Sequence, residues 1–228
     1  MPIFTDYCQG MLLLSLFGQP CMALVIFLRH GQARNNTERV LSGRTPGVPL
    51  TEKGMDQARK AAELVGRMDV ARIYTSPIQR ARQTADTVGS ANNIEVVEDD
   101  RLIELEMGRF TGCKYDDIAN RHGNIFLKFY SGDRELEGSG VETFAEVKKR
   151  VNDIVGYVTG RHPGENVLLV THMDPIKAAL SGSIDLKPQS LFELIVANAS
   201  LNVFYEDKGR LFLRGINVMD TARFDDWW

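Results

Sequence analysis

The sequence predicts an α/β layered fold built on a mainly parallel sheet, and three observations carry that expectation. Short apolar runs alternate with helical patterns along the chain. The runs Leu24 to Leu28 and Val167 to Thr171 lack polar alternation, as strands buried on both faces do. No internal repeat or long linker interrupts the series, so a single domain accounts for it.

The elements follow in order. Leu24 to Leu28 reads as the first strand. Thr51 is a natural N-cap for a helix whose buried stripe is Ala58, Ala61, Ala62 and Val65. After a strand at Ile73 to Thr75, Ser76 as N-cap and Pro77 at the first helical position open a second helix. That helix carries Ile78, Ala81, Ala85 and Val88 on one face. Ile94 to Val97 reads as the next strand, and Asp116, Asp117 and Asn120 mark a polar helix closed by Gly123. The Gly- and Glu-rich stretch Ser131 to Gly140 reads as a surface loop, with a lid as its functional alternative. Phe144, Val147, Val151, Ile154, Val155 and Val158 keep a helical period behind Thr143, with Glu146 as capping-box partner. Beyond the strand at Val167 to Thr171, a stripe of Ile176, Ala179 and Leu180 follows Pro175. Two strands, Ser200 to Tyr205 and Arg210 to Gly215, close the series around the turn Glu206 to Gly209.

The 228 residues include 27 Lys and Arg against 30 Asp and Glu, a formal charge of −3, and 43% are hydrophobic. Disorder, collagen-like repeats and coiled coils do not fit such numbers. That charge gives no global attraction to nucleic acid or an anionic membrane, so neither is expected as a partner. Cys8, Cys21 and Cys113 are too few for a disulfide framework, which favours a reducing, cytoplasmic setting. Leu14, Phe27 and Ala119 stand where a Cys-x5-Arg phosphatase signature needs arginine. The run Met11 to Phe17 is too short to span a bilayer, and Asp6 is the only charge before it, so export is not expected. Because Met22 directly precedes the first strand, residues 1 to 21 read as an extension, 22 to 216 as the domain and 217 to 228 as a tail. Trp227 and Trp228 in that tail read as a frayed terminus or a clasp on the body, with a docking element as the functional alternative.

Ligands of open α/β sheets bind beyond the carboxyl ends of the strands. Two of the four histidines stand there: the first strand runs into Arg29-His30-Gly31, and Val167 to Thr171 runs into His172. A second Arg-His-Gly, Arg121 to Gly123, ends a polar helix instead and is expected to be a decoy, with His122 idle.

Several motifs now line up. Besides Arg29-His30-Gly31 and Asn36, the chain carries Pro49-Leu50-Thr51-Glu52-Lys53-Gly54 and Ser76-Pro77-Ile78-Gln79-Arg80-Ala81-Arg82-Gln83-Thr84-Ala85. Leu102-Ile103-Glu104-Leu105-Glu106-Met107-Gly108 and Val170-Thr171-His172 follow. In this order they resemble the histidine phosphatase superfamily, whose branch 1 includes cofactor-dependent phosphoglycerate mutase and many small-molecule phosphatases. The resemblance covers about residues 22 to 216. It implies a phosphoglycerate mutase-like three-layer α/β/α sandwich. It also implies phosphate binding by Arg29, Arg80, Asn36 and His172, a phosphohistidine on His30, and acid/base work by Glu104. Arg82 and Glu106 are the neighbouring rivals for Arg80 and Glu104. Glu142 and Met173 are weaker substrate-site candidates.

The residue types suit phosphoryl transfer. A doubly negative ester needs clustered donors, which arginine supplies bidentately. Neutral imidazole can carry phosphorus covalently, and one carboxyl can protonate the leaving oxygen and later deprotonate water. Neither a Gly-x-Gly-x-x-Gly nor a P-loop pattern occurs, and no His and carboxylate spacing forms a metal motif, so a metal-free mechanism is expected.

Between phosphatase and mutase, the departures favour the phosphatase. Met173-Asp174-Pro175-Ile176-Lys177 replaces the mutase-type Gly-Asn-Ser after the second histidine, and the Glu loop lacks a Glu-Arg-x-Tyr-Gly pattern. Asp174 beside the site would also disfavour a highly anionic substrate. The expected partner is a small phosphorylated metabolite, with no cofactor for a phosphatase and 2,3-bisphosphoglycerate only for a mutase. A catalytically inactive binding protein on the same fold is the remaining alternative, which the presence of every expected group disfavours. Residues 109 to 140 are expected to supply the substrate wall.

Overall fold

The structure, a computed structural model, describes residues 23 to 219. The proposed extension at 1 to 21, with Cys8 and Cys21, and the Trp227-Trp228 tail lie outside the described residues. The elements are β1 (Leu24–Arg29), α1 (Arg34–Glu38), α2 (Glu52–Val65), β2 (Val70–Thr75), α3 (Gln79–Asn92) and β3 (Val96–Glu98), then α4 (Tyr115–His122), α5 (Ile125–Ser131) and α6 (Phe144–Arg161). The chain continues through β4 (Asn166–Thr171), α7 (Met173–Ser183), α8 (Pro188–Glu193), β5 (Leu201–Asp207) and β6 (Arg210–Val218).

The six strands form one sheet in the order β3-β2-β4-β1-β5-β6. β1, β2, β3 and β4 run parallel, while β5 and β6 extend the sheet antiparallel. β1 and β4 lie at its centre, where both faces are covered, which explains their unbroken apolar runs. Alternate residues feed two cores: Val25, Phe27, Val167 and Leu169 face one, and Ile26, Leu28, Leu168 and Val170 the other. The first core receives α4, α5, α6 and α7, with Phe27 meeting Phe204 edge to face at 5.6 Å. The second receives the alanine-rich faces of α2 and α3, whose small side chains let both helices approach the sheet closely. The result is a three-layer α/β/α sandwich.

Caps fix the helices. Thr51 accepts the Gly54 amide at 3.0 Å. Thr143 and Glu146 form a reciprocal capping box, with N···O distances of 3.2 and 2.8 Å. α3 departs from expectation: it opens at Gln79, with Ile78 rather than Ser76 at the cap. Ser76 instead stays in the extended lead-in, where its Oγ accepts the Ile78 amide at 3.3 Å. β3 starts at Val96 instead of Ile94, because the Ile94 amide folds back onto the Gly89 carbonyl that ends α3. The stretch 131 to 140 is not all loop; Asp133 caps a 3-10 turn at Arg134–Leu136. β6 runs through Val218, two residues past the expected boundary at 216. Among the described residues no helix is long and apolar enough to cross a membrane.

Candidate active site

Three parallel strands deliver the site. Backbone bonds from the His30 amide to the Thr171 carbonyl (3.0 Å) and from the Ser76 amide to the Val170 carbonyl (2.9 Å) join the carboxyl ends of β1, β2 and β4. His30, Arg80 and His172 are thereby brought together below a cavity of about 290 Å³ lined by Arg29, His30, Asn36, Arg80, Glu104 and Met173, among others. Gly31 is required by packing: a Cβ there would stand 2.4 Å from the Gly54 carbonyl oxygen, and one on Gly54 2.0 Å from that of Gln32. This back-to-back contact seats the His30 loop on α2.

His30 is buried and fixed at both ring nitrogens. Nδ1 lies 2.7 Å from the Gly31 carbonyl, to which it donates, so Nε2 carries the lone pair and accepts from Arg80 Nε at 3.2 Å. Burial, with the charges of Arg80 and Arg29, holds its pKa well below the usual histidine value, so the ring is neutral. Arg80 sits in the first turn of α3 and donates Nη2 to the Gly43 carbonyl at 2.9 Å, leaving Nη1 buried without a protein partner. Burial lowers its pKa to about 10, and it stays charged at neutral pH. Arg29 bonds to the Val196 carbonyl and keeps a buried, unpartnered Nε.

His172 is the N-cap residue of α7, and its ring lies 5.1 Å from that of His30, centroid to centroid. Its Nε2 is 2.8 Å from Ser76 Oγ, while Nδ1 is buried without a hydrogen-bond partner, 3.9 Å from Glu104 Oε2. Burial and the neighbouring cations hold its pKa well below the usual value. Three buried nitrogens from three elements, Arg29 Nε, Arg80 Nη1 and His172 Nδ1, thus lack protein partners. Ser76 had been expected only as a helix cap; its position between β2 and the second histidine is visible only once the strands are side by side.

Glu104 keeps 14% of its side-chain surface exposed, enough for a small molecule to reach it. Its pKa is pushed up to about 7, first by burial and then by the nearby Asp174 carboxylate, against the pull of Arg80. Asp174 is itself buried, accepts from Tyr130 Oη at 2.6 Å, and faces Lys177, whose pKa burial lowers to about 8.

The rivals separate cleanly. Glu106 turns back to accept the Gly108 amide at 3.1 Å, and Arg82 pairs outward with Asp86 and Glu98. Asn36 lines the cavity from α1, with Oδ1 accepting the Ala33 amide at 2.9 Å, so it is at once a turn residue and a cavity residue. Met173 also lines the cavity. Glu142, expected as a substrate contact, is not among the lining residues. Its carboxylate is held by Arg44 at 2.8 Å and by Arg150 at 2.8 and 3.2 Å. Those arginines bond to the carbonyls of Glu104, Arg101 and Ile103, so Glu142 braces the loop that presents Glu104. His122 stands apart on α4, exposed and edge-on to Phe110 at 5.4 Å. Among the described residues no group of three or more His, Cys, Asp or Glu is placed to hold a metal ion.

The chain is similar to known proteins along most of its length. The family model of the histidine phosphatase superfamily (branch 1) matches residues 25–219. A 2,3-bisphosphoglycerate-dependent phosphoglycerate mutase of Thermoplasma acidophilum is 34% identical over 203 residues, 89% of this chain and 97% of that protein. Phosphoserine phosphatase 1 of Hydrogenobacter thermophilus is 27% identical over 200 residues, covering 86% of this chain and 93% of its own. A mycobacterial glucosyl-3-phosphoglycerate phosphatase superposes with a TM-score of 0.75 at 26% identity, over 86% of this chain and 99% of that one. With its fold, its two strand-end histidines and a family match across the whole sheet, the chain belongs to the histidine phosphatase superfamily (branch 1), whose members are phosphatases and mutases.

Proposed function

We propose that this protein is a phosphatase that hydrolyses a small phosphate monoester through a phosphohistidine on His30. One observation carries the reading: the His30 Nε2 lone pair accepts from Arg80, and Arg29 Nε, Arg80 Nη1 and His172 Nδ1 are buried without protein partners in the same site. Buried N–H groups without partners cost about 1 to 3 kcal/mol each, and an oxyanion that accepts from all of them offsets this. A tetrahedral phosphoryl group has the oxygens to do so.

In the first step the His30 Nε2 electron pair forms a bond to phosphorus while the ester P–O bond breaks. Glu104, protonated because its pKa is about 7, gives its proton to the leaving oxygen. In the second step the Glu104 carboxylate takes a proton from water, whose oxygen attacks phosphorus as the P–N bond breaks. Inorganic phosphate leaves and the acid form of Glu104 is restored. Ser76, already accepting the Ile78 amide, donates its hydroxyl hydrogen to His172 Nε2, which keeps the Nδ1 hydrogen directed at the phosphoryl group. Positive charge comes from Arg29 and Arg80, so no metal is required. Asn36 adds its amide to the same group, and the reaction belongs in the cytoplasm.

Similarity to the Thermoplasma mutase supports a second reading, isomerisation of 3- to 2-phosphoglycerate with 2,3-bisphosphoglycerate as cofactor. Phosphorus NMR in EDTA with 3-phosphoglycerate and catalytic 2,3-bisphosphoglycerate separates the two. Release of inorganic phosphate from propyl phosphate added to the same mixture, with no 2-phosphoglycerate formed, supports the phosphatase; dominant 2-phosphoglycerate overturns it in favour of the mutase.

A further inference from the structure

The cavity has a phosphate end and a second wall that takes no part in the chemistry. That wall consists of Val40 and Leu41 after α1, Met107 after the Glu104 loop, Tyr115 on α4, Phe126 on α5 and Met173 at the start of α7. All but the buried Met107 are half-buried, so apolar surface is presented to the cavity rather than lost in the core. Tyr115 and Phe126 stack on each other, with ring centroids 5.9 Å apart and planes inclined by 22°. Rings held in this way present a flat, rigid surface at little cost in side-chain entropy.

Charge on this wall points the same way. Apart from Arg29 and Arg80, the one cationic side chain among the described residues lining the cavity is Arg39. One edge of its guanidinium, Nε and Nη2, is bound to the Asp116 carboxylate at 3.3 and 2.7 Å, and it lies 5.6 Å from the Tyr115 ring centre. Arg39 therefore meets an incoming group already paired, at the exposed rim of the cavity. The carboxyl groups in the cavity are Glu104 and Asp174. A carboxylate on the leaving group would find only an arginine already paired with Asp116, and the Asp174 carboxylate nearby, whereas an apolar or aromatic group would cover exposed hydrocarbon.

Resting on the phosphatase reading, we infer that the preferred substrate is a phosphate monoester of an uncharged alcohol bearing an apolar or aromatic group, rather than a phosphorylated hydroxy or amino acid. The alcohol's apolar part lies against Tyr115, Phe126 and Met173, and discrimination comes from burial of that surface together with exclusion of a second anion.

The test uses three primary alkyl esters with similar leaving oxygens: propyl phosphate, 3-phenylpropyl phosphate and 3-phosphoglycerate, with phosphate release followed for each. We expect kcat/KM for 3-phenylpropyl phosphate to exceed that for propyl phosphate by at least ~10-fold, the scale set by burying a group of this size in an apolar pocket, with 3-phosphoglycerate poorest of the three. In Phe126→Ala the ratio of 3-phenylpropyl to propyl phosphate should fall toward one. A preference for 3-phosphoglycerate, or a ratio unmoved by Phe126→Ala, overturns the inference. If none of the esters releases phosphate, the phosphatase reading itself fails. Calorimetric binding of the same three esters to His30→Ala then still reads the wall: tighter binding of 3-phenylpropyl phosphate upholds its apolar preference, and equal or weaker binding overturns it.

Discussion

Arg80 donates Nε–H to His30 Nε2 across 3.2 Å, so the group that would bind phosphate also aims the nitrogen that would attack it. The Nδ1 bond to the Gly31 carbonyl fixes the tautomer, and burial keeps the ring neutral. An imidazole held in this way is poised as a nucleophile before any substrate arrives.

His30→Ala should therefore lower kcat/KM by at least ~10⁴-fold while leaving the circular dichroism and melting temperature near those of the parent, because removing a nucleophile removes the covalent route. His122→Ala, on the exposed face of α4, should change activity little. Comparable losses from both would overturn the choice between the two Arg-His-Gly copies.

The pH profile follows from Glu104. As an acid whose pKa lies near 7, it is protonated below that pH and, in the proposed mechanism, would then supply the proton for ester cleavage; above it the proton is lost. kcat/KM should accordingly fall as pH rises through about 7. Asp174→Asn removes a negative charge that raises this pKa, so the falling limb should move to lower pH. Glu104→Gln should abolish the limb and reduce turnover by ~10² to 10⁴-fold, the range for a lost acid/base group. A limb that stays in place in Glu104→Gln would assign it to another group.

Ser76→Ala leaves His172 Nε2 without its 2.8 Å partner and frees the ring to turn or exchange tautomers. Turnover should drop by ~10 to 100-fold, as for a misplaced positioning residue, with affinity for orthovanadate falling in step. Unchanged vanadate affinity would show that the bond does not orient His172.

Glu142→Ala strips two largely buried arginines of their shared carboxylate. Stability should fall by about 2 to 4 kcal/mol in urea unfolding, as when one partner of a buried ion pair is removed. Because Arg150 also ties the carbonyls before Glu104, the loop should become susceptible to proteolysis near residues 101 to 106. A variant as stable as the parent would contradict the bracing role.

The strand-end histidines were legible in the sequence because both follow directly on buried apolar runs, where the backbone leaves no freedom in their placement. Arg80 was legible only through the resemblance of Ser76 to Ala85 to the family's motif, because the apolar stripe of its helix does not by itself separate it from Arg82. Glu104 and Glu106 flank Leu105, so periodicity in a loop does not distinguish them; in the fold Glu106 accepts the Gly108 amide while Glu104 lines the cavity. Ser76-Pro77 fits a generic helix start, and that local pattern hid a contact with His172, which is 96 residues away in sequence. The pairing of Glu142 was hidden for the same reason, since Arg44 lies 98 residues before it and only the fold brings the two together. The apolar wall was only partly anticipated. Tyr115 and Phe126 fall in the expected stretch 109 to 140, but Val40 and Leu41 follow a short helix that no periodicity announced.

The central claim is covalent catalysis on His30, and the most direct measurement is rapid-quench mass spectrometry of the enzyme during turnover of a phosphate monoester. A phosphoryl group that is stable in base, lost in acid and located on the peptide containing His30, and absent from His30→Ala, is the predicted result. Steady turnover with no phosphorylated protein at any time, or with phosphate on another residue, would contradict it.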